Sequence, residues 1–283
     1  GKHIDYLTQH YYVNAKLKNG ELQDASSTLF APAKMEAHLK LLGAQLEEMN
    51  RWLQRTHDPV RLCVDEWNNR HSVFDGKDYT FTRQSVRKQF DVAVIAGMLN
   101  VFIRQSPTVG MANYIFPVNA HGLIRTVGTD DAYLTPLYYL FKQYRSRMLG
   151  YKADVVVKGP GIPASEAGMN ITGDSREVEI MDKEWLPFVD AAAVLNKDSH
   201  ILLAVVNRSD KAAQYIEIAI PNGYKAGQVW ELSHTNINAM NTPGNRFEIV
   251  PKTKMLKQSG KRGNIQLLPC AFAMIELVNM NDK

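Results

Sequence analysis

The stretch "RLCVDEWNN", residues 61 to 69, runs an apolar strand pattern straight into two carboxylates, Asp65 and Glu66, and then into Trp67 and Asn68. The breaker pair Asp58 and Pro59 opens it. Acids do not ordinarily close a buried strand. They do so in a parallel sheet, where the strand is apolar because both faces are covered and ligands meet the carboxyl ends.

The flanking sequence fits that sheet. "HIDYLTQHYY" (3 to 12) reads as a strand, followed by a polar loop. From Ala33 to His57, Met35, Leu39, Leu42, Leu46, Met49 and Leu53 recur at spacings of four and three, and Pro32 stands where a helix begins. Gln84 to Gln105 predicts a second helix, almost apolar along "VAVIAGMLNVFI". Pro107 and a third strand, "GMANYIFPVN" (110 to 119), follow, and then a helix over about 135 to 148. Strand and helix in alternation predict a parallel sheet with covering helices. An eight-unit barrel takes about 250 residues, so three units in the first 150 are the smaller part of one.

From Tyr151 the pattern changes to short β-type runs: "ADVVVKG", "PFVDAAAVL", "HILLAVVNRS", "QYIEIAIPNG", "AGQVWELSH", "NRFEIVP" and "NIQLLPCAFAMIELV". Turn sequences such as Pro-Asn-Gly and Thr-Pro-Gly-Asn separate them, and an antiparallel sandwich is the economical reading. The boundary falls near Leu149 to Tyr151.

Composition narrows the function. With 283 residues and 45% hydrophobic content the chain can bury one large core or two ordinary ones. The net charge of +4 is dispersed except at Lys252 to Lys261, and there is no basic helix or aromatic single-strand platform, which argues against nucleic acid. No apolar run approaches the roughly 18 residues of a membrane-spanning helix. Cys63 and Cys270, each among apolar neighbours, read as buried free thiols. No spacing marks a metal site, and no cofactor is expected. Gly1 to Asp5 lack a signal peptide's basic and apolar stretches and lead directly into a strand. The chain reads as cut from something longer, with any cytoplasmic or secretory address outside it.

At the strand ends stand His10, Tyr11 and Tyr12; Asp65, Glu66, Trp67 and Asn68; and Asn119 and His121, preceded by Asn113. Carboxylate, imidazole, phenols, indole and amides together are the inventory of a sugar site, with ring faces for stacking and fixed donors for hydroxyls. Strand alternation sends Asp65 and Trp67 to the face away from Glu66, Asp65 to a basic residue of a neighbouring helix and Trp67 to the core. Asn68 is expected to orient the following loop and Asn113 to brace the third strand. His38, His57, His71, His121, His200 and His234 read as exposed or loop histidines, and "ELSHTN" (231 to 236) as a polar turn.

"HYY" at 10 to 12, "DEWN" at 65 to 68 and "MANY" at 111 to 114, in this order, resemble glycoside hydrolase family 51, chiefly α-L-arabinofuranosidases. The resemblance covers essentially the whole chain. It implies an α/β plus all-β fold. Residues 1–149 would be the C-terminal part of a (β/α)8 TIM barrel (strands 6 to 8), and residues 150–283 an antiparallel, jelly-roll-like β-sandwich. It implies Glu66 as the nucleophile of a retaining mechanism, with His10 and Tyr12 fixing its rotamer and stabilising its charge. The family's acid/base is a glutamate in an Asn-Glu pair after strand four. No such pair occurs here, so the acid/base is expected on an N-terminal portion of the same enzyme, without which the chain would be inactive.

Two departures touch the pocket. Arg70 stands where many relatives carry a second tryptophan, and Phe116 where they often carry a glutamine; both are expected to contact substrate. The loop 69 to 84 is long and polar enough to reshape the site's mouth. The expected substrate is an arabinose-containing oligo- or polysaccharide, cut at terminal α-L-arabinofuranosyl residues. The alternatives are endo-β-1,4-glucanase or xylosidase-like activity, and a noncatalytic sandwich that binds polysaccharide, for which Trp185, Tyr215 and Trp230 offer single aromatics and no planar trio. A homo-oligomer is compatible with all three.

Overall fold

A computed structural model describes residues 3–168, 171, 178–180 and 184–280. The first half contains β1 (Tyr6–Lys18), β2 (Glu21–Gln23), α1 (Ala25–Leu29), α2 (Ala31–Trp52), β3 (Arg61–Phe74), β4 (Tyr79–Thr82), α3 (Gln89–Arg104), β5 (Val109–Tyr114), β6 (Ile124–Val127), β7 (Asp131–Leu134) and α4 (Pro136–Arg147). β1 and β5 both pair in parallel with β3, so β3 is central, and α2 and α3 are the crossovers that parallel pairing requires. Period-two burial explains β1: Tyr11, Val13, Ala15 and Leu17 are buried against the helices while the residues between them face the other way.

The helices follow their sequence stripes with shorter ends. α2 carries Pro32 in its first turn and buries Met35, Leu39 and Leu46. It stops at Trp52, before the expected His57, and Gln54 turns the chain with φ 57°. α3 begins at Gln89, five residues later than Gln84, because the Asp91 carboxylate accepts the Lys88 backbone N–H at 2.8 Å and caps the first turn there.

β3 is the main departure. It was expected to end at Trp67 and instead runs to Phe74, paired with β1 on one side and folded back on β4 on the other. Its outward continuation is buried on one face through Asn69 and His71, so the expected loop 69 to 84 is largely a hairpin. β5 stops at Tyr114, short of residue 119.

The second half contains β8 (Gly150–Ala153), β9 (Gly161–Pro163), β10 (Trp185–Pro187), β11 (Val189–Asn196), β12 (Ile201–Asn207), β13 (Gln214–Ala219), β14 (Tyr224–Leu232), β15 (Lys252–Met255), β16 (Lys257–Ser259), β17 (Arg262–Leu267) and β18 (Phe272–Asn279). A six-stranded antiparallel sheet, β15-β14-β18-β12-β11-β8, faces a three-stranded sheet, β13-β17-β16. This is the antiparallel sandwich the turn spacing predicted. The large sheet is covered on both faces, which accounts for the unbroken apolar run of β12. Leu203 and Val205 pack toward the small sheet, and Leu202, Ala204 and Val206 join the core shared with the helices. Tyr144 of α4 stacks on Phe272, and Arg104 of α3 binds Glu36 of α2 at 2.7 Å and Asp190 of β11 at 3.1 Å.

Three expected strands differ. "NIQLLPCAFAMIELV" is two strands in different sheets, because Pro269 and Cys270, the latter at φ 54°, turn the chain between them. Residues 154–158 form no strand. Residues 245–251 form none either, and there Asn241 holds Ile249 through both backbone groups.

Candidate active site

Glu66 lies where the three-stranded parallel sheet narrows to a ribbon. The β3–β5 pairing ends at Trp67 and Tyr114, while β1 and β3 remain paired to Leu17 and Val73. Glu66 is therefore inside a long strand, yet still at the rim of the parallel sheet.

A β-bulge aims the two carboxylates. The register passes from Thr8↔Cys63 to His10↔Glu66, so β3 spends one more residue than β1 across that step. Bulges break alternation and re-aim side chains. Asp65 accordingly does not turn away toward a helix; its Oδ1 lies 3.2 Å from His10 Nε2, on the neighbouring strand. His10 Nδ1 is 3.6 Å from Glu66 Oε2, so one imidazole spans both acids. His10 is half exposed, which removes the alternative of a core histidine.

Tyr12 is buried, and its phenol donates to Glu66 Oε2. Burial and the bond to Glu66 raise the Tyr12 pKa, against the opposing pull of Arg70, so the phenol remains a proton donor throughout the neutral range. The Arg70 guanidinium lies 3.2 Å from the centre of the Tyr12 ring. His10, Tyr12, Glu66 and Arg70 thus form one cluster. Asn68 is buried and donates to the Ile115 carbonyl, tying the rim of β3 to the chain just beyond β5. Phe116 follows that anchor and is 45% exposed. Asn113 is exposed on β5. Trp67 is core, as expected, among Phe102, Tyr114 and Phe141.

Behind the cluster lies a buried polar network that sequence reasoning missed. The Asp91 carboxylate accepts from Asn69 at 2.8 Å and from Arg87 at 2.9 Å, and His71 Nε2 stands 2.9 Å from the same oxygen. Arg87 also donates to the Asn69 carbonyl at 2.6 Å and the His121 carbonyl at 2.7 Å, and the Tyr114 hydroxyl donates to that His121 carbonyl at 2.7 Å. Burial opposes ionisation of Asp91, but the charges of His71 and Arg87 and its hydrogen bonds outweigh it and hold the acid far below the usual carboxylate range. Burial, then the Arg87 and His71 charges, pushes the His121 imidazole down to about 3. The network locks β3 immediately after Glu66. The only sequence signal for it is the Arg87/Asp91 pair, four residues apart at the start of an apolar helix.

Three histidines depart from expectation in being buried, whereas His57 is exposed and His200 and His234 lie in loops as expected. His38 is buried and pairs with the Tyr11 hydroxyl at 2.9 Å, and His71 and His121 are buried as described. Among the described residues no group of three His, Cys, Asp or Glu side chains could hold a metal ion. Cys63 and Cys270 are buried free thiols. In the sandwich, Trp185 and Tyr215 are exposed singly, and Trp230 is covered by Arg147 at 3.8 Å.

A parallel βαβαβ layer leaning on an antiparallel sandwich is also found in solved arabinofuranosidases. The GH51 arabinofuranosidase from Xanthomonas axonopodis pv. citri superposes with a TM-score of 0.77 at 23% identity, over 98% of this chain and 53% of that one. The sequence profile described as Alpha-L-arabinofuranosidase C-terminal domain matches residues 65–269, and the chain belongs to that family. It is similar to a probable alpha-L-arabinofuranosidase C from Aspergillus flavus, 26% identical over 85% of this chain and 44% of that protein. It is also similar to an exo-alpha-(1->6)-L-arabinofuranosidase from Bifidobacterium longum, 23% identical over 88% of this chain and 48% of that protein. The chain spans about half the length of the relatives it matches.

Proposed function

We propose that this chain carries the nucleophile half of a retaining glycoside hydrolase that releases terminal α-L-arabinofuranosyl residues from arabinose-containing polysaccharides or oligosaccharides. The observation that carries the reading is the Glu66 carboxylate at the sheet rim, held by the Tyr12 hydroxyl and neighboured by His10. In this reading Glu66 attacks the anomeric carbon and forms a glycosyl-enzyme ester, which water then displaces with net retention. Tyr12 keeps one carboxylate oxygen occupied and its rotamer fixed, leaving the other oxygen to attack. Arg70 and Phe116 line the sugar pocket.

A retaining mechanism needs a second carboxyl group about 5 to 5.5 Å from the first. Asp65 is engaged by the same histidine as Glu66 and is a structural acid in this reading. The acid/base is assigned to an N-terminal portion of the enzyme beyond residues 1–283, which also supplies the remaining barrel strands around residues 1–149; residues 150–283 form the sandwich domain. The chain by itself is then inactive.

The test is Glu66→Gln in the enzyme complete with its acid/base. Turnover of an aryl α-L-arabinofuranoside is expected to fall by roughly 10⁴-fold or more, the scale of losing a covalent nucleophile, with an unchanged thermal melt. Retained turnover would remove Glu66 from the mechanism.

A further inference from the structure

Beyond Glu66, the paired strands β1, β3 and β4 continue as a ribbon whose free face interleaves cations with aromatic rings. The register fixes that face. Asn14 pairs with Arg70 and Lys16 with Ser72 across β1 and β3, and Ser72 pairs with Phe81 and Phe74 with Tyr79 across β3 and β4. Paired residues share a face of a sheet. The opposite face, with Tyr11, Val13, Ala15, Trp67 and His71, is buried.

On the free face each cation lies over a ring. Arg70 and Arg83 are each 5.5 Å from the centre of Phe81, Lys16 is 5.5 Å from Tyr79, and Lys18 is 5.0 Å from Phe74. The Phe74 and Tyr79 rings are 5.3 Å apart. Phe81 is 42% exposed and Tyr79 36% in this chain, so both ring faces can be reached from the strip. Lys16 has Asp24 at 3.7 Å. Among the described residues no carboxylate pairs with Arg70, Arg83 or Lys18. The strip starts beside the candidate nucleophile, because Arg70 also covers Tyr12, whose hydroxyl donates to Glu66.

We infer that this strip binds a uronate-bearing stretch of glycan, its carboxylates meeting Arg70, Arg83 and Lys18 and its rings lying on Phe81, Tyr79 and Phe74. Arginine's planar fork matches a carboxylate through two parallel hydrogen bonds. A carboxylate that draws a cation off its ring also frees the ring face for a sugar, so charge recognition and stacking act together. A neutral glycan would leave the cations where they are and compete with them for the same faces. The inference rests on the glycosidase reading of Glu66 and names its substrate class: an arabinofuranosyl unit on a backbone that also carries uronic acid.

The test is calorimetric binding to the enzyme complete with its N-terminal portion, at low salt. The probes are a xylo-oligosaccharide with one glucuronosyl branch, the same oligosaccharide with that carboxyl reduced to an alcohol, and a short polyphosphate. The acidic oligosaccharide is expected to bind about ten-fold tighter than its reduced form, with the ratio narrowing at about 0.5 M salt. In the double variant Arg83→Gln, Lys18→Gln the ratio falls toward one; both side chains are exposed, and a thermal melt verifies the fold. Equal affinities, no binding of either sugar, or an unchanged ratio in the double variant overturns the inference. So does polyphosphate binding as tight as that of the acidic sugar, which would mark a general polyanion surface. The glycosidase reading fails on a separate readout, hydrolysis of the aryl arabinofuranoside by the complete enzyme, which leaves the affinity ratio untouched.

Discussion

Tyr12 donates a hydrogen bond from its hydroxyl to Glu66 across two parallel strands although the two residues are not registered partners; Tyr12 is opposite Asn68, and Glu66 is opposite His10. The contact is diagonal, and the bulge between Thr8 and His10 sets the offset that permits it. The phenol and the imidazole therefore approach the same carboxylate oxygen from successive positions on one strand face.

Tyr12→Phe removes that donor and little else. A hydrogen bond to a charged acceptor is worth about 1.5–3 kcal/mol, so kcat of the complete enzyme on an aryl arabinofuranoside is expected to drop about 10- to 100-fold. Unfolding by urea should shift by less than about 1 kcal/mol, because the ring is retained. An unchanged kcat would show that the phenol only packs.

Asp91→Asn strips the countercharge from a fully buried Arg87 and disturbs the contact that holds His71. Breaking a buried pair this way costs about 3–5 kcal/mol at neutral pH. The Asp91 pKa is depressed in the folded chain, so its contribution is complete above the unfolded value near 3.9 and is lost as pH falls through the folded one. Urea titrations at about pH 7 and pH 3 are expected to show a smaller gap between variant and parent at the lower pH.

His121 works in a different window. It stays neutral in the folded chain down to about 3, whereas the unfolded imidazole binds its proton near 6.5. Between those values the unfolded state holds more protons, so stability falls as pH drops from about 6.5. His121→Gln, which keeps the backbone carbonyl that accepts from Arg87 and Tyr114, is expected to flatten the decline measured between about pH 7 and pH 5.

Arg104→Gln tests the junction between the helical layer and the sandwich. It leaves Glu36 and Asp190 as nearly buried carboxylates. A loss of about 3–5 kcal/mol is expected. If residues 1–149 and the sandwich unfold together in the parent, the variant should separate their transitions, seen as non-coincident near-ultraviolet and far-ultraviolet dichroism curves.

Much of this molecule is local in origin. The two-residue alternation of β1, the apolar stripes of α2 and α3, and the turn-separated runs of the sandwich are written in neighbouring residues, because burial of one face follows directly from strand and helix periodicity. The rim residues are legible for the same reason: a carboxylate after an apolar strand in a parallel sheet has one place to be. His10, Tyr12 and Glu66 stand among the strand-end residues that periodicity picks out, and the resemblance of "HYY" and "DEWN" to glycoside hydrolase family 51 singles them out from that group.

What the tertiary structure decided depends on pairing between distant segments. The extra residue of β3 opposite Gln9 brought Asp65 round to His10, and no property of residues 61 to 69 encodes where a neighbour's register slips. β3 runs on to Phe74 because Asn69 and His71 find Asp91 and Arg87, about twenty residues away, and a polar segment becomes a buried strand once those partners exist. Residues 264–278 look like one strand, but their two halves bury against different sheets, and the chain must turn between them. Sequence determined which side chains stand at the rim, since periodicity is local; register, burial of charge and the direction of each acid were decided only by tertiary contacts, since a hydrogen bond's partner is chosen by the fold.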